Sequence, residues 1–208
     1  MYRYDIINTF IKKYDFNSYL EIGVFTGQCI REVTAGIKDG VDPGAENADI
    51  PPEVNYRMGS DEFFDLLKAK SKKYQYDIIF IDGLHHSDQV DKDIQNCLEY
   101  LIDGGILILH DCNPLKEEYT SIPRTTAIWH GDVYKSALRF RLKNEHSIFT
   151  VDTDCGCSVI TKDYLSETDA DVESLQKALV SWDYFDANRT QLLNLISVEK
   201  FKETYENI

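Results

Sequence analysis

The 208-residue chain lacks several things. No apolar run approaches the roughly 18 residues that a membrane-crossing helix needs. The opening stretch, MYRYDIINTFIKKYDF, has no long apolar core of the kind a secretory signal carries. The expectation is a soluble, cytoplasmic protein. Positive charge is scarce: 22 Lys and Arg stand against 36 Asp and Glu, for a net charge of −14. A protein that grips phosphate backbones needs clustered Lys and Arg. The longest basic cluster, KAKSKKY at 68–74, reads as the solvated end of a helix. Nucleic acid is therefore disfavoured as a partner, and a small neutral or cationic ligand suits the charge better. The 13 tyrosines form no stripe regular enough for base stacking.

Cysteine is sparse too. Cys29, Cys97, Cys112, Cys155 and Cys157 are scattered and odd in number, which argues for reduced thiols rather than a disulfide framework. Cys155 and Cys157 form Cys-x-Cys, not the Cys-x-x-Cys knuckle of a mononuclear zinc site. No Gly-x-Gly-x-x-Gly follows a strand. The first candidate turn, Gly23-Val24-Phe25-Thr26-Gly27, puts Phe25 where a pyrophosphate would need glycine, which disfavours a nicotinamide dinucleotide.

What is present is an alternation of strand and helix. SYLEIGV (18–24), DGVDPG (39–44), YDIIFID (76–82) and GGILILHD (104–111) read as strands. Between them, GQCIREVTAG (27–36), SDEFFDLLKAKSKKY (60–74) and SDQVDKDIQNCLEYL (87–101) read as helices, with Ser60 as an N-cap. ENADIPPEVNYRMG (46–59) reads as a loop with a short strand near Tyr56. This order predicts a doubly wound α/β domain with a mostly parallel sheet and right-handed crossovers. A leading helix precedes it within residues 1–16. After a loop and a helix ending near Lys143, HSIFTVDTDCGCSVITK (146–162) predicts an antiparallel edge hairpin. The domain is expected to span 1–165, and 166–208 to form a helical extension packed on the same domain or on a partner such as a second copy of the chain.

Ligands of open parallel sheets bind beyond the carboxyl ends of the strands. Those ends carry titratable groups here: Glu21, Gly23 and Gly27 at the first turn, Asp42 in VDPG, Asp82 in FIDG and Asp111 in LHDCN. Asp42 lies about 20 residues beyond the first turn, where an acid can accept bonds from ribose hydroxyls. Each feature alone is as well explained by a structural turn or a solvated acid; their joint occurrence at successive strand ends points to a nucleotide-type cofactor without a pyrophosphate.

These motifs, taken together, resemble the class I S-adenosylmethionine-dependent methyltransferases, in particular their small-molecule O-methyltransferase branch. YLEIGVFTGQCI is similar to the first motif of that branch. GVDPG, GSDEFF, YDIIFIDGLHH and GGILILHDCNP are similar to the later motifs, in order, so that the likeness covers about residues 17–115. The resemblance implies a Rossmann-like seven-stranded sheet ending in an antiparallel hairpin, and transfer of a methyl group from S-adenosyl-L-methionine to a hydroxyl of a small molecule such as a sugar or secondary metabolite. It implies that Glu21, Gly23 and Gly27 line the methionine part of the cofactor, that Asp42 binds its ribose, and that Gly59, Ser60 and Asp61 border its adenine.

Asp82, which counts among the cofactor contacts, and Asp111 match acids that hold a divalent cation in metal-dependent members. Strands that are neighbours lie about 4.8 Å apart, so two such carboxylates need a cation or proton between them, and their oxygens suit Mg²⁺. Cys112 stands where catechol-type relatives carry Asn, and Asn113 is the expected substitute. For the base, the Asp-Gly-x-His resemblance in DGLHH points to His85, with His110 second and Asp82 beside them. Ser87 replaces an aromatic residue common in that motif. His86 and His130 are read as ordinary loop histidines. A cofactor-binding regulator or scaffold without transferase activity is the alternative; it would need Glu21, Gly23 and Asp42 but neither His85 nor the acid pair.

Overall fold

The computed structural model describes residues 1–44, 50–70, 74–162 and 171–206. In chain order the elements are α1 (Arg3–Tyr14), β1 (Ser18–Ile22), α2 (Gln28–Glu32), β2 (Ile37–Val41), α3 (Ser60–Ala69), β3 (Tyr76–Ile81), α4 (Ser87–Tyr100) and β4 (Leu101–Leu109). There follow α5 (Tyr134–Lys143), β5 (Ser147–Val151), β6 (Cys157–Thr161), α6 (Val172–Val180), α7 (Trp182–Leu192), β7 (Leu195–Ile196) and α8 (Val198–Tyr205). The strands make one sheet in the order β2-β1-β3-β4-β6-β5-β7. β2, β1, β3 and β4 run parallel, and β6 is antiparallel to both β4 and β5. This is the expected Rossmann-like architecture.

Period-two alternation in buried strands builds a core on both faces. In β3, Ile79 and Ile81 join Phe63, Phe64, Val90, Ile94 and Leu138 under α3, α4 and α5. Ile78 and Phe80 face the other way, onto Ile6, Phe10, Ile30 and Phe201 from α1, α2 and α8. Because β1 pairs with β2 on one side and β3 on the other, the winding reverses at β1, and the ends of β1 and β3 flank the crevice this leaves.

Three details differ from the reading of the sequence. Helix α2 stops at Glu32 rather than Gly36: Thr34 is drawn out to α1, where its backbone N–H and hydroxyl both reach Asn8 Oδ1, at 2.8 and 3.1 Å. The strand expected near Tyr56 is an isolated bridge to Val41. The hairpin is not the sheet edge, since β7 pairs in parallel with β5 beyond it. Two residues bounded by helices carry too little periodic signal to be read as a strand. Residues 46–49 of the loop expected at 46–59, 71–73 of the helix expected to reach 74, and 163–170 and 207–208 around the expected domain boundary and in the extension lie outside the described residues. The C-terminal helices pack on this chain. Phe185 meets Tyr134 at 4.4 Å between ring centroids, and Phe201 meets Phe10 edge-on at 5.6 Å.

Candidate active site

A cleft of about 920 Å³ opens at the carboxyl ends of β1 to β4. One half is lined by Gly23, Asp42, Pro43, Gly44, Met58, Gly59, Ser60, Asp61, Gln89 and Asp93, and the other by Arg3, Phe25, Asp82, Leu84, His85, His110, Asp111, Arg124 and Trp129. Its size falls within the range of small-molecule sites, roughly 300–1,000 Å³.

The first half is organised by the turn after β1. Asp42 Oδ2 accepts the backbone N–H groups of Val24 and Phe25 at 2.9 and 2.8 Å, and its Oδ1 accepts from Gly44 at 2.7 Å. The carboxylate thus ties the turn to the end of β2 while still facing the cleft. Gly23 has φ +89°, and a Cβ there would lie 2.1 Å from the Asp82 carbonyl oxygen. Glycine is required at this position because the ends of β1 and β3 touch, a closer constraint than ligand approach. At Gly59, in contrast, a Cβ would meet nothing within 4 Å, so this N-terminus of α3 is open to the cleft. Gln89 bridges Ser60, Asp61 and Asp93 with its amide, at 3.3, 2.9 and 3.2 Å. Burial pushes the Asp93 carboxyl up to about 6.

Two of the cofactor candidates do not line the cleft. Gly27 faces Arg31 and Glu53, and its glycine is explained by φ +76° where α2 begins. Glu21 is buried on the α1 and α2 side of the sheet, where it accepts a 2.5 Å bond from the Tyr19 hydroxyl. Burial pushes its carboxyl up to about 7.

The second half is a compact cluster of acids and imidazoles. His85 stands between the two carboxylates, with Nε2 3.3 Å from Asp82 Oδ1 and Nδ1 3.2 Å from Asp111 Oδ2. His110 Nδ1 lies 3.2 Å from Asp82 and 3.3 Å from Asp111. The first residue of α1 enters the same cluster: Arg3 Nη1 donates to Asp82 at 2.6 Å and Nε to Asp154 at 2.9 Å. Burial opposes charge on both imidazoles, yet the carboxylates win: His85 is raised above its ordinary value and His110 well above it. Burial likewise works against charged Asp82, but His110, His85 and Arg3 hold its carboxyl far below the usual range. Three carboxylates therefore face one guanidinium and two imidazoles whose protonated forms they favour. His85 also stacks on Trp129 at 5.1 Å and 21°.

A divalent cation fits this donor set as an alternative to the protons. Asp82, His85 and Asp111 offer atoms all within 4.8 Å of one another. The contacts of 3.2–3.3 Å are longer than charge-assisted hydrogen bonds of about 2.7–2.9 Å. They run from the two different ring nitrogens of His85, so only one of them can be an edge between ligands of a single ion. The nitrogen donors widen the choice beyond Mg²⁺ to Mn²⁺, Fe²⁺ or Zn²⁺.

Asn113 is not part of the group, which corrects the expected ligand set. Its Nδ2 donates to Asp152 at 3.0 Å and its Oδ1 accepts from Arg189 at 2.6 Å, so both ends of the amide are committed away from the cleft. Cys112 is buried, its thiol directed at the carbonyls of Leu109 and His110.

Sequence reasoning missed Arg3, Asp93 and Asp154. Asp93 left a trace, a charge on the apolar face of α4 beside Val90, Ile94 and Cys97. Arg3 and Asp154 left none, since 151 residues separate them.

Known proteins share this fold. Residues 20–112, somewhat under half of the chain, match the family described as a methyltransferase domain. No curated protein sequence matches the chain. Among solved structures, the O-methyltransferase from Bacillus cereus, in complex with SAH, is similar with a TM-score of 0.57 at 15% identity, over 77% of this chain and 80% of that one. The O-methyltransferase TomG from Streptomyces achromogenes, involved in tomaymycin synthesis and in complex with SAM, has a TM-score of 0.57 at 11% identity, over 77% and 79%. At these identities the likeness is one of fold. Residues 20–112 are thus similar to a methyltransferase domain and lie in a Rossmann-like sheet.

Proposed function

We propose that this methyltransferase-domain chain transfers the methyl group of S-adenosylmethionine to a hydroxyl of a small molecule. The observation that carries this reading is the continuity of the two halves of the cleft. Asp42 and the α3 N-terminus face the same space as Asp82, His85 and Asp111. When bound, S-adenosylmethionine would supply an electrophilic methyl on a sulfonium. The chain's own part is to hold an acceptor oxygen in line with that methyl and to take its proton.

Asp42 would accept from a ribose hydroxyl with the one lone-pair site, on Oδ1, that the three amides leave free. Gly59, Ser60 and Asp61 would border the adenine, and Gly23 the methionine portion. His85 is the base, half inside the cleft and oriented by its stack on Trp129 and by Asp82. His110, more deeply buried and held between Asp82 and Asp111, is a positioning group for both carboxylates. As the alternative to that base, a divalent cation held by Asp82, Asp111 and His85 would lower the pKa of a bound hydroxyl. Phe25, 80% exposed, and Leu84, 54% exposed, stand with Trp129 on the acceptor side and suit an acceptor with an apolar body.

Calorimetric titration of S-adenosylmethionine with and without Mg²⁺ or Mn²⁺, on wild type and Asp42→Ala, tests the reading. Binding that Asp42→Ala weakens by tenfold or more is expected. Heat that depends on the metal and vanishes in Asp82→Asn would assign the cation to the acid pair. No binding to the wild type in any condition overturns the proposal. Binding with no transfer to any hydroxyl acceptor would leave a cofactor-binding regulator, a reading that the neutralised Asp82–Arg3 pair favours.

A further inference from the structure

We propose that Asp111, His130 and Cys155 form a second ion position behind the wall of the cleft, one that takes a thiophilic divalent cation of the zinc class. Their side-chain donors all lie within 4.8 Å of one another. The position is separate from the Asp82–His85–Asp111 group and shares only Asp111 with it. The two oxygens of that carboxylate divide the work: Oδ2 faces His85 and His110, whereas Oδ1 faces His130 Nε2 at 3.9 Å.

The observation that points to a ligand is His130. The residue is 5% exposed, yet neither of its ring nitrogens has a hydrogen-bond partner. A buried imidazole with both nitrogens idle is costly and calls for an explanation such as a missing ion. The ring is not idle through looseness. Its backbone N–H donates to Tyr119 at 2.9 Å, and Gly131 lies so close to His85 that a Cβ would fall 1.7 Å from the His85 carbonyl oxygen. Asp132 then accepts both the backbone N–H and the hydroxyl of Ser87, at 2.7 and 2.9 Å, locking the loop to the start of α4.

Cys155 reaches the same place from the turn between β5 and β6. Asn113 N–H donates to the Cys155 carbonyl at 2.9 Å and Cys112 N–H to that of Gly156 at 3.0 Å, which fastens the turn beside Asp111. A Cβ at Gly156 would lie 2.4 Å from Asn113, so only glycine lets the two segments approach. Asp111 and Cys155 both hold left-handed backbone, at φ 59° and 66°.

A rival grouping, His110, Asp154 and Cys155, is less able to hold a cation. Asp154 already carries Arg3, through Nε at 2.9 Å, Nη2 at 3.3 Å and the backbone N–H at 2.9 Å. In the preferred group Asp111 meets His85 and His110 through Oδ2, which leaves Oδ1 for the ion. One thiolate, one imidazole and one carboxylate is the donor mixture that binds Zn²⁺ and resists Mg²⁺. On binding, the Cys155 proton passes to solvent and no other bond changes. Three protein ligands leave the fourth position to water. Asp111 lines the cleft, but His130 and Cys155 do not, so the ion's effect there is to fix Asp111 from behind.

The test uses the full chain, stripped of metal with a chelator and without cofactor, so its outcome is independent of methyl transfer. Cobalt(II) is the probe, because thiolate ligation gives a near-ultraviolet charge-transfer band. A band saturating with Cys155 intact, lost in Cys155→Ser and in His130→Gln, and kept in Asp82→Asn, is expected. In parallel, Zn²⁺ should slow alkylation of Cys155 at least tenfold, read by peptide mass; the other four thiols are buried and serve as the folding control. Absence of the band and of protection in the wild type overturns the proposal, whether or not the variants fold. So does a band that survives His130→Gln, or one abolished by Asp82→Asn, which would put the ion in the cleft.

Discussion

Glu21 illustrates how far a buried side chain's role is set by the face of the sheet it occupies. Its carboxyl, pushed by burial from near 4.5 to about 7, is raised in the folded state. The stability it contributes is thus fully present below about pH 4.5 and lost as pH rises through about 7. Glu21→Gln removes that loss. The variant is expected to match wild type in acid and to exceed it by up to about 3 kcal/mol at pH 8, at 1.36 kcal/mol per unit, in urea melts across pH. Equal stability at every pH would show that Glu21 ionises freely. His85 carries the opposite consequence in the cleft. Raised by Asp82 and Asp111 against the effect of burial, its imidazolium persists above the ordinary value of about 6.5. Metal-free methyl transfer should therefore rise with pH through that higher value. In His85→Gln the rate should fall by about 10²–10⁴ and lose this limb. A pH–rate profile unchanged in shape would remove His85 as the base.

Strand ends position the site, and two turns complete it. Asn113 follows β4 and was expected to ligate, yet it joins Asp152 to Arg189 of α7 while Arg189 also donates to the Pro114 carbonyl at 2.6 Å. Asn113→Ala should then cost about 1–3 kcal/mol through unpaired buried partners and leave cation affinity in the cleft unchanged. A tenfold loss of that affinity without loss of stability would restore Asn113 as a ligand. The same contrast marks what a sequence reveals. Asp82 and Asp111 were legible because each follows a hydrophobic run, and Asp42 because Pro43 and Gly44 end a brief strand; strand ends of a parallel sheet share one edge. Whether Glu21 or Asn113 turns toward that edge depends on side-chain direction, and whether Gly27 does depends on the path of its backbone, which neighbours decide. Asn113 lies two residues past Asp111 and still turns to Arg189. His130 looked like any loop histidine, since its burial depends on Gly131 meeting His85 across 45 intervening residues, beyond any local pattern.

Arg3 makes the chain's two ends part of one site. It stands at the start of α1 and reaches Asp82 and Asp154, so the cluster depends on where α1 lies. Ile6, Ile7 and Phe10 of α1 seat the helix on the sheet. The helix is clamped from outside by α8: Phe201, fully buried, meets Phe10 edge-on, and Tyr205 packs on Phe10 at 5.0 Å and on Phe149 of β5 at 5.8 Å. A C-terminal helix thereby sets the tilt of an N-terminal one, and through Arg3 the charge balance of the cleft. Phe201→Ala should cost about 3–5 kcal/mol, or roughly 6–20 °C of melting temperature for a domain of this size. The larger consequence is local. Amides of α1 should exchange faster than those of β1 and β3, and the Arg3–Asp82 pair should open. Asp82 would then lose one of the groups that hold its carboxyl low, and cation affinity at Asp82 and Asp111 should change with it. If α8 loosens while exchange in α1 stays at the wild-type rate, then α1 is held by the sheet alone and the two termini are independent.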